Sequence, residues 1–135
     1  WLTQLYTRLI CDEFYGTTPE HGYGYGQDED QGQLGAWYVM AAMGLFDVQG
    51  GTNITPSYQI GRPKFRKITI KLDPRYYSGK TLVIETENNA PDHYYVQSAT
   101  LNGQPLEIIN GGHLKLQMDS TPNTRWGIAS MPHSK

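Results

Sequence analysis

Only one cysteine, Cys11, occurs in the 135 residues, so no disulfide can form within the chain. Between Ile10 and Asp12 in a helical pattern it reads as a small packed residue; a nucleophilic role would need a partner histidine, and no motif supplies one. Charge is scarce as well. Asp, Glu, Lys and Arg make up 18% of the chain, the net charge is −2, and no basic run stands out. That excludes the electrostatic footprint of a nucleic-acid or anionic-membrane binder. No apolar run approaches the roughly 18–20 residues of a transmembrane helix. There is no signal-peptide pattern, no internal repeat and no initiating methionine: the chain enters a helical pattern directly at Trp1, as an excised piece would. His21, His93, His113 and His133 share no metal-ligand spacing, so no transition-metal site is assigned. Gly22-Tyr23-Gly24-Tyr25-Gly26 lacks both the spacing and the preceding strand of a nucleotide-binding loop.

Aromatics and turn formers are what the chain has in quantity, with Tyr 10, Trp 3 and Gly 15. Such a composition suits a β-rich module or a carbohydrate-binding surface, and equally an ordinary packed sandwich. Two halves with different periods follow. In the first, Leu2, Leu5, Tyr6, Leu9, Ile10 and Phe14 recur at three- and four-residue spacing and share one helix face, with Gly16 as the expected residue after the helix. A second helix is expected from about Gln31 to Met43. Its run Leu34, Ala36, Trp37, Tyr38, Val39, Met40, Ala41, Ala42, Met43 leaves almost no polar face, so it demands burial all round. So short a chain holds too few helices to provide that, which points to further helices elsewhere in a larger protein. Gly44 ends the helix, with Leu45 and Phe46 folding back as its hydrophobic clasp.

Beyond the linker Gln49-Gly50-Gly51-Thr52-Asn53 the period becomes two. Strands are expected at 67–72, 81–86, 94–101, 105–109, 113–118 and 126–130. Asn102-Gly103 is the dipeptide that favours a tight hairpin because both residues accept positive φ. The fold class is α+β, with a helical pair over 1–48 and a small antiparallel β-sandwich over 54–135.

One constellation calls for a reason: Asp28-Glu29-Asp30, three adjacent acids just ahead of the buried helix. Like charges side by side repel. Asp30-Gln31-Gly32-Gln33 fits a capping box with Asp30 as N-cap, and the helix dipole favours acids there. Capping accounts for Asp30 but leaves Asp28 and Glu29 unexplained. The same placement serves catalysis, because a carboxylate held by backbone N–H groups stays ionised, as a general base acting on water must. An EF-hand is excluded, since Gly32 falls at the fifth position and Val39 at the twelfth. Tyr23 and Tyr25 read either as part of a mobile loop or as sugar-facing aromatics at the rim of a site.

Asp28-Glu29-Asp30-Gln31-Gly32-Gln33-Leu34-Gly35-Ala36-Trp37-Tyr38-Val39 resembles the signature of family 92 α-mannosidases: three acids, any residue, Gly-Gln, an apolar residue and Ser-Ala-Trp-Tyr-Val. The similarity continues through Tyr58-Gln59-Ile60-Gly61-Arg62-Pro63-Lys64-Phe65, Asn88-Asn89-Ala90-Pro91 and Gln97-Ser98-Ala99-Thr100-Leu101-Asn102-Gly103-Gln104-Pro105-Leu106. Gln27 stands where the family commonly has glycine, and Gly35 replaces the usual serine. The resemblance implies an exo-acting, inverting, Ca²⁺-dependent hydrolase of α-linked mannosides, with α-1,2 linkages the first expectation. It implies an (α/α)₆-barrel catalytic domain preceded by a large β-sandwich, and makes the helical pair here the end of that barrel. By motif match Asp30 and Asp28 are the water-activating carboxylates, with Asp30 as principal base. Glu29, Tyr23 and Tyr25 are the substrate-contacting candidates. The general acid and most calcium ligands are expected outside these residues, leaving this stretch inactive alone and its parent periplasmic or secreted. Two other readings stay open: a free-standing carbohydrate-binding β-module, and a related barrel enzyme acting on glucans or phosphorolysing disaccharides.

Overall fold

The computed structural model describes residues 1–15, 33–47, 49–50, 52, 54, 58–105 and 112–126. Helix α1 spans Leu2–Glu13 and helix α2 spans Gln33–Met43. Two short strands, β1 (Leu45–Phe46) and β2 (Gln59–Ile60), pair antiparallel, with Leu45 opposite Ile60. The remaining strands are β3 (Lys67–Lys71), β4 (Thr81–Glu87), β5 (Tyr95–Leu101), β6 (Gln104–Pro105) and β7 (Gly112–Asp119). They form a five-stranded sheet in the order β3-β4-β7-β5-β6.

The α+β character agrees with the sequence pattern, but an all-antiparallel arrangement is corrected. β7 enters between β4 and β5 and runs parallel to β4, while every other pair in the sheet is antiparallel. The inward side chains of β7 explain its place. Leu114, Leu116 and Met118 are wholly buried, and a strand with so complete an apolar row gains most where neighbours cover both its edges. Leu82 and Ile84 of β4, Val96 and Leu101 of β5, and Leu45 of β1 complete the core; Met40 of α2 and Ile60 of β2 pack against it. Full burial of each such side chain stabilises the fold by about 1.5–3 kcal/mol. Asn102 and Gly103 turn the chain between β5 and β6 with φ of 52° and 78°, both in the left-handed region as the dipeptide predicts. The strand expected over 105–109 begins as β6, but 106–111 lie outside the described residues, as do residues 127–130 of the last expected strand.

Helix α1 turns an unexpected face inward. Gln4, Arg8 and Cys11 are buried along one stripe. Leu2, Tyr6, Ile10 and Phe14, from the regular apolar pattern, are 39–57% exposed. Gln4 bonds across to the sheet, its Oε1 accepting from the Val96 N–H of β5 at 3.0 Å, while Arg8 pairs within the helix with Asp12 through two bonds of 2.8 and 2.6 Å. The apolar helix α2 is buried at Ala41 and Ala42 but leaves Val39 at 56% exposure.

Gly44 ends α2 with φ of 74°. A Cβ there would lie 2.8 Å from the Pro63 ring, so glycine is required both by conformation and by space. The segment packed against it also satisfies orphan carbonyls at the helix end. Lys64 N–H donates to Ala42 O and Gly61 N–H to Gly44 O, each at 2.8 Å. Leu45 does not clasp the helix; it is drawn into the sheet core.

Candidate active site

Helix α1 leads in sequence into segment 16–32 and α2 leads out of it. Asp28, Glu29, Asp30, Tyr23 and Tyr25, together with Gly16, lie in that segment and outside the described residues. The structure therefore describes the frame at both ends of the acid-bearing stretch.

Aromatic stacking dominates that frame. Tyr15, just past the end of α1, stacks on Trp37 and on Tyr38 of α2, with ring centroids 5.2 Å apart in both pairs and interplanar angles of 22° and 30°. Such offset stacks favour one relative position of the two helices at the point where the segment leaves and returns. Ile10, Phe14, Tyr15 and Leu34 line an adjoining apolar hollow of about 320 Å³.

Polar contacts reinforce the frame on the side facing the sheet. Lys64 Nζ donates to the Tyr38 hydroxyl at 2.9 Å and stands 3.9 Å from Asp12 Oδ1. Arg62 donates to Asn89 Oδ1 at 3.1 Å and to Ala90 O at 2.8 Å, with its guanidinium 5.5 Å from the Tyr94 ring centre. Burial holds the Arg62 pKa below its ordinary value, and the nearby Arg8 charge pushes the same way. Asn89 in turn donates to Thr86 Oγ1 at 3.0 Å, and at 3.4 Å to the carbonyls of Pro63 and Phe65. The two stretches Gly61-Arg62-Pro63-Lys64-Phe65 and Asn88-Asn89-Ala90-Pro91 thus meet in space as one hydrogen-bonded hinge between helix and sheet.

Cys11 is buried, with its thiol pKa raised by desolvation, as an inert packed residue requires. His113 Nε2 lies 2.7 Å from Glu85, and His93 Nδ1 lies 2.6 Å from Asn88 O. Among the described residues no group of three His, Cys, Asp or Glu side chains could hold a metal ion, and no helix is long and apolar enough to cross a membrane.

Sequence reasoning gave no role to Arg8 or Asp12, and none to Arg62 and Lys64 beyond their place in the family likeness. The i,i+4 spacing of Arg8 and Asp12 was a usable signal. Nothing local could show that Lys64 meets Tyr38, 26 positions away.

The sequence profile of the glycosyl hydrolase family 92 catalytic domain matches residues 1–120. An uncharacterized secreted glycosidase of Arthroderma benhamiae is 32% identical over 110 residues, covering 74% of this chain and 13% of that protein. Among solved structures, a family 92 inverting mannosidase of Bacteroides thetaiotaomicron shares 40% identity with a TM-score of 0.77, over 99% of this chain and 18% of its own. A family 92 α-mannosidase of the same bacterium shares 30% identity with a TM-score of 0.78, again over 99% and 18%. The chain thus spans less than a fifth of the length of each of these three proteins.

Proposed function

The chain belongs to glycosyl hydrolase family 92, and from that membership we propose that it is the C-terminal part of an inverting exo-α-mannosidase acting on α-linked mannosides, α-1,2 linkages foremost. The observation that carries the reading is the family match over residues 1–120, which takes in the whole of Asp28-Glu29-Asp30. The mannosidase and glycosidase descriptions of the relatives support it.

In this reading Asp30, aided by Asp28, accepts a proton from the attacking water. Their position ahead of α2 suits that task, because the positive end of a helix keeps a neighbouring carboxylate ionised. Inversion needs a second carboxyl group about 6.5–9.5 Å away to protonate the leaving oxygen. That acid belongs to another part of the whole enzyme, and the 135 residues alone are inactive. Glu29, Tyr23 and Tyr25 contact the sugar. Residues 1–48 are the closing helices of an (α/α)₆ barrel and 54–135 a β-module beside it. The outward apolar row of Leu2, Tyr6, Ile10 and Phe14 supports this, since it is a face that further helices would cover. The N-terminal β-sandwich and the rest of the barrel are thus this chain's partners.

Calcium is part of the proposal for the whole enzyme. Its ligands are assigned largely to parts of the enzyme outside these 135 residues, and no step is routed through it; among the described residues no three His, Cys, Asp or Glu side chains group for a metal. The secreted description of the fungal relative supports export of the parent, to the periplasm or beyond the cell.

The test is Asp30→Asn in the whole enzyme, assayed on α-mannobiose with the anomer of released mannose followed by NMR. Turnover falls by about 10²–10⁴-fold, as for loss of a general base, and the wild type releases the β-anomer first. Near wild-type turnover in Asp30→Asn would sink the assignment. Mannoside binding by the isolated 135 residues would instead favour a free-standing binding module.

A further inference from the structure

Two guanidinium groups at the join between α1 and the sheet are left short of acceptors. Arg8 is 1% exposed and commits Nε and Nη2 to Asp12, so its Nη1 meets no acceptor among the described residues. Arg62 commits Nη2 to two neutral oxygens, Asn89 Oδ1 and Ala90 O, and its buried Nε likewise meets none. Both orphan atoms are closed to water, so solvent does not serve them. Buried N–H groups are nearly always paired, and an orphan on a cation is costlier than one on a neutral group.

Charge is out of balance at the same place. Lys64, two residues after Arg62, stands 3.9 Å from Asp12. Arg8, Arg62 and Lys64 thus bring three cations together, and among the described residues Asp12 is the one carboxylate that any of them touches. Asp92 acts on Arg62 only from a distance and is itself largely exposed. The Tyr94 ring, 5.5 Å from the Arg62 guanidinium, offsets part of its charge but accepts no ordinary hydrogen bond. Arginine does not relieve the imbalance by giving up its proton, and buried charges in folded proteins are paired. The 135 residues are less than a fifth of each of the three proteins they match, so most of the side chains that could supply an anion lie outside them.

We propose that a carboxylate side chain from a part of the enzyme outside these 135 residues docks on the Arg8, Arg62 and Lys64 cluster, entering at its rim beside Arg62 and Lys64. Arg62 is only half-buried and Lys64 is 42% exposed, so entry asks for no more than side-chain rotation. A carboxylate suits the place better than a carbonyl: it brings a balancing charge and two acceptor oxygens, which a guanidinium takes in a planar fork. This contact belongs to the inner stripe of α1 and is separate from the outward apolar row of Leu2, Tyr6, Ile10 and Phe14. The inference rests on the chain being part of a longer protein and not on the sugar that protein acts on.

The deciding experiment is a structure of the whole enzyme. An Asp or Glu oxygen from outside residues 1–135 lies within about 3.2 Å of a guanidinium nitrogen of Arg62 or of Arg8 Nη1. A water, a solvent anion, a backbone carbonyl, a carboxylate of residues 1–135 or no acceptor at those atoms overturns the proposal. A double-mutant cycle reads the same contact in solution, pairing Arg62→Met with replacement of that acid by its amide. Each single change lowers the thermal midpoint of the whole enzyme by about 5–10 °C. Arg62→Met also loses the bonds to Asn89 and Ala90, so the coupling between the two changes is the readout. The double variant falls no further than the worse single one, because both remove the same contact. Losses that add in the double variant overturn the proposal. Should Arg62→Met not fold, Lys64→Met takes its place in the cycle under the same criterion. If Asp30→Asn keeps full turnover while the carboxylate is found at the cluster, the mannosidase site falls and this contact stands. If Asp30→Asn is dead and no such carboxylate is found, only this proposal falls.

Discussion

Gln4 and Val96 are 92 positions apart, yet the Gln4 side-chain oxygen accepts the Val96 backbone N–H at 3.0 Å in a buried contact. Val96 sits on β5 beside a register shift, where pairing to β7 is irregular and β6 does not reach. The helix therefore supplies an acceptor that the sheet does not, and one amide joins the helical half to the β half.

Gln4→Leu keeps the volume and removes the acceptor, leaving a buried N–H unsatisfied. A loss of about 1–3 kcal/mol is expected. Thermal unfolding of the whole enzyme checks it, as a lower midpoint for the transition that includes this region. An unchanged midpoint would show that water or another group replaces the amide.

Gly44→Ala meets two obstacles at once. Positive φ costs an L-residue about 1–2 kcal/mol, and a Cβ 2.8 Å from the Pro63 ring adds an overpacking cost of about 1–3 kcal/mol. A destabilisation of about 2–5 kcal/mol is expected in the same unfolding measurement, because Pro63 is fully buried and cannot retreat. Gly50, also at positive φ but with nothing near its would-be Cβ, carries the first cost alone and gives the smaller shift.

Burial raises the pKa of the Cys11 thiol above its ordinary 9.0. The folded state therefore favours the protonated form more than the unfolded state does. Stability from this group is full below pH 9.0 and is lost as pH climbs past that value towards the folded pKa. Iodoacetamide at pH 8 should label native Cys11 far more slowly than the denatured chain. Equal rates would contradict the buried placement.

Chelation tests the calcium part of the reading. Prolonged EGTA treatment of the whole enzyme abolishes mannoside hydrolysis, and Ca²⁺ added back restores it. Full activity after exhaustive chelation would remove calcium from the proposal.

Local features were legible where a short-range preference meets a local geometry. Gly44 as a helix terminator, Asn102-Gly103 as a tight turn and the strand rhythm at 67–71 and 81–87 all came from the sequence pattern. The acid triplet was equally legible as a candidate site, through its likeness to a family signature and through its place ahead of an apolar helix.

What the periodicity misled was the facing of α1. A 3.6-residue rhythm says which residues share a side but not what lies opposite, and here the Gln4 stripe turns inward, where its side chain meets the Val96 N–H. Strand order escaped for the same reason: six runs with period two permit many pairings, and burial of Leu114, Leu116 and Met118 selects the one with β7 between β4 and β5. By itself the sequence determined the two helices, most strands of the sheet and the place of Asp28-Glu29-Asp30 as a candidate site. Only the tertiary structure decided that Lys64 and Tyr15 converge on Tyr38, since that meeting depends on contacts distant in sequence and no local preference encodes it.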